Sequence, residues 1–139
     1  MKKLLPWLTI ETTPFMNIET LEDDDIPARP GVYIMLSDHT EYIYPWSDSS
    51  GKSQVYYVGQ ANNLRTRLKT HKRYCKQVLT NRDSNYPYYW PRYEYAAFHG
   101  CNVAWIISKD PKKAENELLV AFAKYYGAKP VANGQSGWE

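Results

Sequence analysis

Hydrophobic and polar residues recur along the chain with two different periods, which predict where the strands and helices lie. Two runs of β-branched and aromatic residues, GVYIML at 31–36 and VYYVG at 55–59, are typical of strands. From position 64 onward the apolar residues recur every three or four positions, as on one face of a helix. This pattern predicts a helix over residues 63–79, capped by the Asn62-Asn63 pair. Its buried stripe consists of Leu64, Leu68, His71, Cys75 and Val78.

A second helix is predicted towards the end of the chain, because residues typical of both helix ends are present. Asp110 suits an N-cap, Pro111 suits the first helical position, and Gly127 suits a C-terminal cap. The apolar stripe of this helix consists of Leu118, Leu119, Phe122 and Tyr125 or Tyr126.

The remaining stretches predict shorter elements. Residues 41–44, 96–99 and 102–107 have the composition of strands, and residues 45–53 (PWSDSSGKS) that of a mobile loop. Residues 31–59 are therefore expected to form an elaborated hairpin. The aromatic stretch at 85–95 (NYPYYWPRYEY) contains two prolines, which argue against a regular helix there. It is compatible with base stacking or with a lid on the core.

A length of 139 residues is typical of a single domain. Residues 1–29 are interpreted as an N-terminal arm with a few apolar anchors, and residues 30–139 as the domain, with insertions near 37–53 and 73–99. The expected fold is a mixed α/β (α+β) one, in which helices flank a small central, mainly antiparallel sheet.

Three polar residues lie close to the apolar faces of the predicted helices. Arg67 and His71 are four positions apart and border the stripe of the first helix. Glu115 lies three positions before Leu118 and four before Leu119, in line with the apolar stripe of the last helix, whereas Glu117 belongs to its outer face. A carboxylate on the core side of a helix is unfavourable unless it is paired or binds a metal ion. These positions are therefore candidates for a functional site.

Charge is unevenly distributed, although the net charge is only +2. Residues 51–82 contain basic residues and no Asp or Glu, whereas the N-terminal third carries Asp23, Asp24 and Asp25 in a row. This polarity favours an extended, negatively charged partner, typically nucleic acid. The basic positions 65, 69, 72 and 76 are expected on the solvated side of their helix. The residues predicted to contact nucleic acid are Lys52, Gln60, Arg65, Lys69, Lys72 and Arg73.

Other features of the sequence narrow the class of protein. The two cysteines, Cys75 and Cys101, lack the spacing of a zinc site or a disulfide framework. The first ten residues do not form a complete signal peptide, and no stretch is long and apolar enough to span a membrane. A soluble cytoplasmic protein is predicted, either a monomer or a homodimer.

These residues together resemble the GIY-YIG nuclease family over roughly residues 31–133. Gly31-Val32-Tyr33 and Tyr57-Val58-Gly59 resemble the two signature tripeptides of that family. The family's helix arginine matches Arg67, and a position that is histidine or tyrosine matches His71. The metal-binding glutamate matches Glu115 in AENELL, and the closing asparagine matches Asn133. One departure is Gln60, where many members carry a lysine.

The resemblance implies an endonuclease that hydrolyses phosphodiester bonds in DNA, duplex or branched, and leaves 5′-phosphate and 3′-hydroxyl ends. RNA is a compatible substrate. Glu115 would bind Mg²⁺ or Mn²⁺, with Glu117 as the alternative ligand, and Arg67 would brace the scissile phosphate. Tyr33, Tyr57 or His71 would activate the water, and Asn133 would position a neighbouring group. For a phenol, cations nearby would have to lower its pKa.

Two other classes of function remain open at the level of sequence. A catalytically inactive nucleic-acid-binding module would retain the basic helix, and Gln60 is the feature that favours it. A structural protein–protein module would use the aromatic surface. That class gives no reason for Arg67 and Glu115 to face one core.

Overall fold

A computed structural model of the chain describes residues 5–44, 51–81 and 91–133. Within these residues four strands form an antiparallel sheet in the order β1-β6-β2-β5, and β3 and β4 pair separately. The sheet places β5 on one outer edge. The strands are β1 (Met16–Asn17), β2 (Gly31–Leu36), β3 (Tyr42–Ile43), β4 (Lys52–Ser53), β5 (Val55–Ala61) and β6 (Asn102–Ile107).

The predicted hairpin of two main strands is confirmed, and its register explains the two glycine-containing tripeptides. Tyr33 of β2 lies opposite Gly59 of β5, and Met35 lies opposite Tyr57. A Cβ atom on Gly59 would lie 2.5 Å from the Tyr33 hydroxyl oxygen, far inside contact distance. Glycine at position 59 therefore provides the space in which the Tyr33 ring lies beside the Tyr57 ring.

The first predicted helix is confirmed as α1 (Leu64–Asn81), and its apolar stripe is buried as expected. Asn63 caps it, since its side-chain oxygen accepts a hydrogen bond from the Thr66 amide at 3.1 Å. Two more amides of the first turn donate hydrogen bonds to carbonyl groups of the N-terminal arm. The Leu64 amide donates to the Arg29 carbonyl, and the Arg65 amide donates to the Pro27 carbonyl. The arm thus fixes the start of α1.

The predictions for the stretch after α1 are partly wrong. Residues 91–99 form a helix, α2 (Pro91–His99), so residues 96–99 are not a strand. Pro91 stands at the first helical position, where the missing amide is harmless, and the two alanines at 96 and 97 favour a helix. The rest of the aromatic stretch and most of the 45–53 loop lie outside the described residues.

The last helix is confirmed as α3 (Pro111–Tyr126), with the predicted caps at both ends. Asp110 accepts a hydrogen bond from the Lys113 amide, and Gly127 has a φ of 81° in the left-handed region. Side chains of α3 and of the arm, including Trp7 and Phe122, pack on one face of the sheet, whereas α1 and α2 cover the other. The expected α+β architecture is confirmed.

The arm is part of this architecture. Its residues 16–17 form β1 and extend the sheet next to β6, a strand that the sequence did not predict. Leu5 and Trp7 are buried in the core as predicted for apolar anchors. Within the described residues, no helix combines the length and the apolar character that crossing a membrane requires.

Candidate active site

A pocket of about 340 Å³ lies beside β5, where side chains from both faces of the sheet meet. Five of the six residues predicted for the site line it: Tyr33, Tyr57, Arg67, Glu115 and Asn133. They come from two strands, two helices and the segment after α3, so the fold brings together positions up to a hundred residues apart. The other described lining residues are Gln60, Arg92, Leu119 and Lys129.

The two tyrosines lie side by side, with ring centroids 6.1 Å apart. Tyr33 is almost wholly buried, whereas Tyr57 is partly exposed in the pocket. Burial raises the pKa of both phenols; Arg67 and Arg92 act in the opposite direction but do not outweigh it. Arg67 thus acts in the expected direction, but in the protein alone burial has the larger effect on both pKa values. At neutral pH both phenols keep their protons and act as hydrogen-bond donors.

His71 lies beneath this pair and has no exposed surface. Its ring centroid is 6.0 Å from that of Tyr33, 6.1 Å from Tyr57 and 4.8 Å from Tyr93. Neither ring nitrogen has a hydrogen-bond partner among the described residues. Burial, with the nearby cations of Arg92 and Arg67, lowers the pKa of His71 to about 3. His71 is therefore a neutral imidazole behind the pocket wall.

Three cationic side chains share the described lining of the pocket with one carboxylate, that of Glu115. Arg67 is exposed on α1, Arg92 comes from α2, and Lys129 follows α3. Burial raises the pKa of Glu115, and the neighbouring Lys129 opposes this effect. The described lining thus combines three cationic groups with one acidic group, an arrangement suited to a negatively charged ligand.

The donor set of the pocket fits a Mg²⁺ or Mn²⁺ ion bound through one carboxylate. Such ions often take one or two protein carboxylates and complete their shell with water and substrate phosphate oxygens. Glu115 is half-buried and faces the pocket, whereas the alternative ligand Glu117 is exposed and lies outside the described lining. The described residues contain no cluster of three or more His, Cys, Asp or Glu side chains placed for a metal ion. Substrate oxygens would therefore be needed to complete the coordination.

Asn133 is held in place by two hydrogen bonds to one residue of β5. Its side-chain oxygen accepts from the Val58 amide at 2.8 Å, and its side-chain nitrogen donates to the Val58 carbonyl at 2.8 Å. The Ala132 amide adds a bond to the Tyr56 carbonyl. These bonds attach the segment after α3, which carries Lys129, to the strand that carries Tyr57.

Of the six residues predicted to contact nucleic acid, one lies in the pocket and the five basic ones lie outside its described lining. Gln60 lines the pocket, whereas Lys52, Arg65, Lys69, Lys72 and Arg73 lie outside its described lining. Arg65 donates to the Ile26 carbonyl at 2.7 Å, and Lys72 donates to the Leu21 carbonyl at 3.1 Å.

The acidic segment of the arm lies against this same face of α1. Asp23, Asp24 and Asp25 form a turn of 3₁₀ helix, and Lys69 forms an ion pair with Asp23 at 3.6 Å. The expectation of a solvated face is confirmed for Lys69, which is exposed and forms its ion pair at the surface. It is wrong for Arg65 and Lys72, which are partly buried and donate to carbonyl groups of the arm. Their role in nucleic-acid contact stays a prediction.

Three residues of the site were missed by sequence reasoning: Arg92, Tyr93 and Lys129. The signal for the first two was the Pro91-Arg92-Tyr93 sequence, in which a proline opens a helix and brings the next residues to its first turn. Lys129 has no comparable signal, because it follows the C-terminal cap of α3 in a segment without periodicity.

The chain was compared with models of known protein families, with curated proteins and with solved structures, and none of the three comparisons finds a match.

Proposed function

We propose that this protein is a metal-dependent endonuclease of the GIY-YIG type that hydrolyses phosphodiester bonds in DNA. The observation that carries the proposal is the convergence of Tyr33, Tyr57, Arg67, Glu115 and Asn133 on one pocket. The same five positions carry the sequence resemblance to the GIY-YIG family. The resemblance also supplies the expected products, with 5′-phosphate and 3′-hydroxyl ends.

Each group has a role that its environment supports. The exposed guanidinium of Arg67 binds the scissile phosphate through charge-assisted hydrogen bonds. Glu115 would hold the metal ion, and the ion would supply positive charge that stabilises the charge developing on the phosphoryl and leaving oxygens. Asn133 keeps the Tyr57 strand and the segment after α3 in register through its bonds to Val58. Asn133 carries no proton in the reaction.

Water activation is assigned to the tyrosine pair, with His71 in support. Tyr57 is partly exposed in the pocket, so its hydroxyl is accessible to a water molecule beside the phosphate. Its pKa is raised by burial, and Arg92 and Arg67 oppose the rise. A bound cation would act in the same direction as these arginines. His71, which has no exposed surface, supports the two rings from behind.

Incubation of the purified protein with supercoiled plasmid and Mg²⁺ or Mn²⁺ tests the proposal. We expect metal-dependent nicking or discrete fragments, no product in EDTA, and no product from Glu115→Ala. Glu117→Ala is the matched control, because this carboxylate lies on the same helix outside the pocket. Equal activity of Glu115→Ala and the wild type would refute the assignment of the metal ligand.

A nucleic-acid-binding module without turnover is the second candidate. It is favoured by one observation, that burial raises the pKa of both phenols while His71 is wholly buried. Neither of these phenols nor His71 is therefore a ready general base in the protein alone. This second candidate would be favoured if the protein binds DNA or RNA in a salt-sensitive way but cleaves neither in the presence of several different divalent metal ions.

A further inference from the structure

Lys129 follows the C-terminal cap of α3 and lines the pocket with an exposed side chain. The backbone just after it is attached to the core. The Val131 amide donates a hydrogen bond to the Tyr44 hydroxyl at 3.1 Å, and the Ala132 amide donates to the Tyr56 carbonyl at 2.8 Å. Both tyrosines are buried. The backbone next to Lys129 is therefore held against the folded core, while the side chain of this lysine is accessible to a ligand.

Lys129 and Arg67 come to the pocket from opposite faces of the sheet. Arg67 belongs to α1, which covers one face, whereas Lys129 follows α3, which packs on the other face. Both residues line the pocket beside β5, the outer strand of the sheet. A nucleic-acid backbone that lies across this edge would therefore meet one cation from each face of the sheet.

The charge of Lys129 has one acidic neighbour in the described lining of the pocket. Lys129 shares this lining with Glu115, and its cation opposes the rise that burial causes in the pKa of Glu115. Once Glu115 binds a divalent cation, as proposed, Lys129 lies near a like charge and no longer shares the carboxylate alone. A phosphate oxygen that accepts a hydrogen bond from the ammonium group would then offset this repulsion.

We propose that Lys129 is a substrate-contacting residue that binds a backbone phosphate of the nucleic acid on the α3 side of the pocket, while Arg67 binds the scissile phosphate on the α1 side. This inference rests on the proposed function, since it adds a residue to the same site. It makes the segment after α3 part of the substrate-binding surface. A lysine suits this role because its ammonium is a point charge on a flexible stem and can follow the backbone of the substrate.

Binding of a fluorescein-labelled DNA duplex, measured by anisotropy over a series of salt concentrations in EDTA, tests this role. Glu115→Ala is the parent protein, because it is expected not to cleave and lacks the carboxylate that competes with phosphate for Lys129. Adding Lys129→Gln should reduce the slope of log K against log salt by about one phosphate contact. It should also weaken binding about threefold to tenfold at about 0.1 M salt. A lysine that serves only as the counter-ion of Glu115 would leave both quantities unchanged.

Three further variants of the parent guard the interpretation. Lys129→Arg keeps the positive charge and should keep the salt slope. Arg67→Gln is the positive control and should lose about one phosphate contact. Lys124→Gln is the matched control for charge, because Lys124 is exposed nine positions after Glu115 and so on the opposite side of α3. It should bind like the parent. Circular dichroism of each variant reports whether the fold is retained.

The outcomes separate the role of Lys129 from the nuclease itself. If the wild type cleaves plasmid but Lys129→Gln binds with the parent's affinity and slope, Lys129 is not a phosphate ligand and the nuclease proposal stands. A reduced slope in Lys129→Arg, or an equal reduction in Lys124→Gln, would also overturn the assignment to Lys129. If the parent binds no DNA or RNA and the wild type cleaves neither, both proposals are overturned.

Discussion

The buried histidine makes the stability of this protein depend on pH in a direction that can be worked out. His71 is fully buried among aromatic rings, and its pKa is about 3 against an ordinary value of 6.5. Between these two values the unfolded chain binds a proton at this position and the folded protein does not. The free energy of unfolding therefore falls as the pH falls through this window, and the contribution of His71 is fully present only above about pH 6.5.

The size of the effect at moderate acidity hardly depends on how low the folded pKa is. At about pH 5 an unfolded imidazole is almost entirely protonated, while the buried one is almost entirely neutral. Linkage then gives a loss of about 2 kcal/mol relative to neutral pH. A folded pKa one unit higher would give nearly the same figure, because the loss is set by the distance from pH 5 to the unfolded value.

Equilibrium unfolding in urea, followed by tryptophan fluorescence at about pH 5 and about pH 7.5, measures this loss. The carboxylates of the protein also titrate, so the quantity to compare is the difference between the wild type and His71→Phe at the two pH values. Between the two pH values, we expect the free energy of unfolding of His71→Phe to fall by about 2 kcal/mol less than that of the wild type. If both proteins lose the same free energy, His71 is not a buried neutral imidazole and the reasoning fails.

Three further predictions concern other parts of the molecule. Gly59→Ala should lower the free energy of unfolding by about 1–3 kcal/mol in a urea titration, because its Cβ would overlap the Tyr33 ring; an unchanged midpoint would contradict this packing. Lys69→Ala should change stability by less than about 1 kcal/mol, since its ion pair with Asp23 is half-exposed on both sides; a larger loss in the same titration would mean that the arm depends on this pair. Mg²⁺ at about a hundred times its dissociation constant should stabilise the wild type by about 2.7 kcal/mol in thermal melts and leave Glu115→Ala unchanged; equal shifts would place the ion elsewhere.

Periodicity was enough to predict the framework of this protein. The strand at 31–36, the strand at 102–107 and the capped helix at 111–126 follow from local residue chemistry, and the structure has them at those positions. Local chemistry also placed Arg67 and Glu115 on the inward sides of their helices. The antiparallel pairing of β2 and β5 brings Tyr33 and Tyr57 side by side, and Arg67 and Glu115 line the same pocket.

The remaining features depend on contacts between distant parts of the chain. β1 is two residues long and is a strand only because β6 lies beside it, so no local pattern marks it. The local pattern does not mark α2, because its first residue is Pro91 and proline is typical both of a helix break and of a helix start. Arg65 and Lys72 on the basic face of α1 contact the arm, and their partners are 39 and 51 positions away in the sequence. Propensity describes neighbours along the chain, and these three features involve neighbours in space.

The segment after α3 also covers part of a strand edge that could pair with another copy of this protein. β5 is an outer strand, and unpaired amides and carbonyls on such a strand are a template for a strand from another molecule. Here the Ala132 amide and the side chain of Asn133 form hydrogen bonds with the Tyr56 carbonyl and with the Val58 amide and carbonyl. These backbone groups are therefore not available to a strand from another molecule. One amide side chain therefore shapes the pocket and blocks strand exchange at the same place. A substitution at Asn133 would be expected to raise the tendency to aggregate along with any loss of activity, so the two effects need to be measured on the same sample.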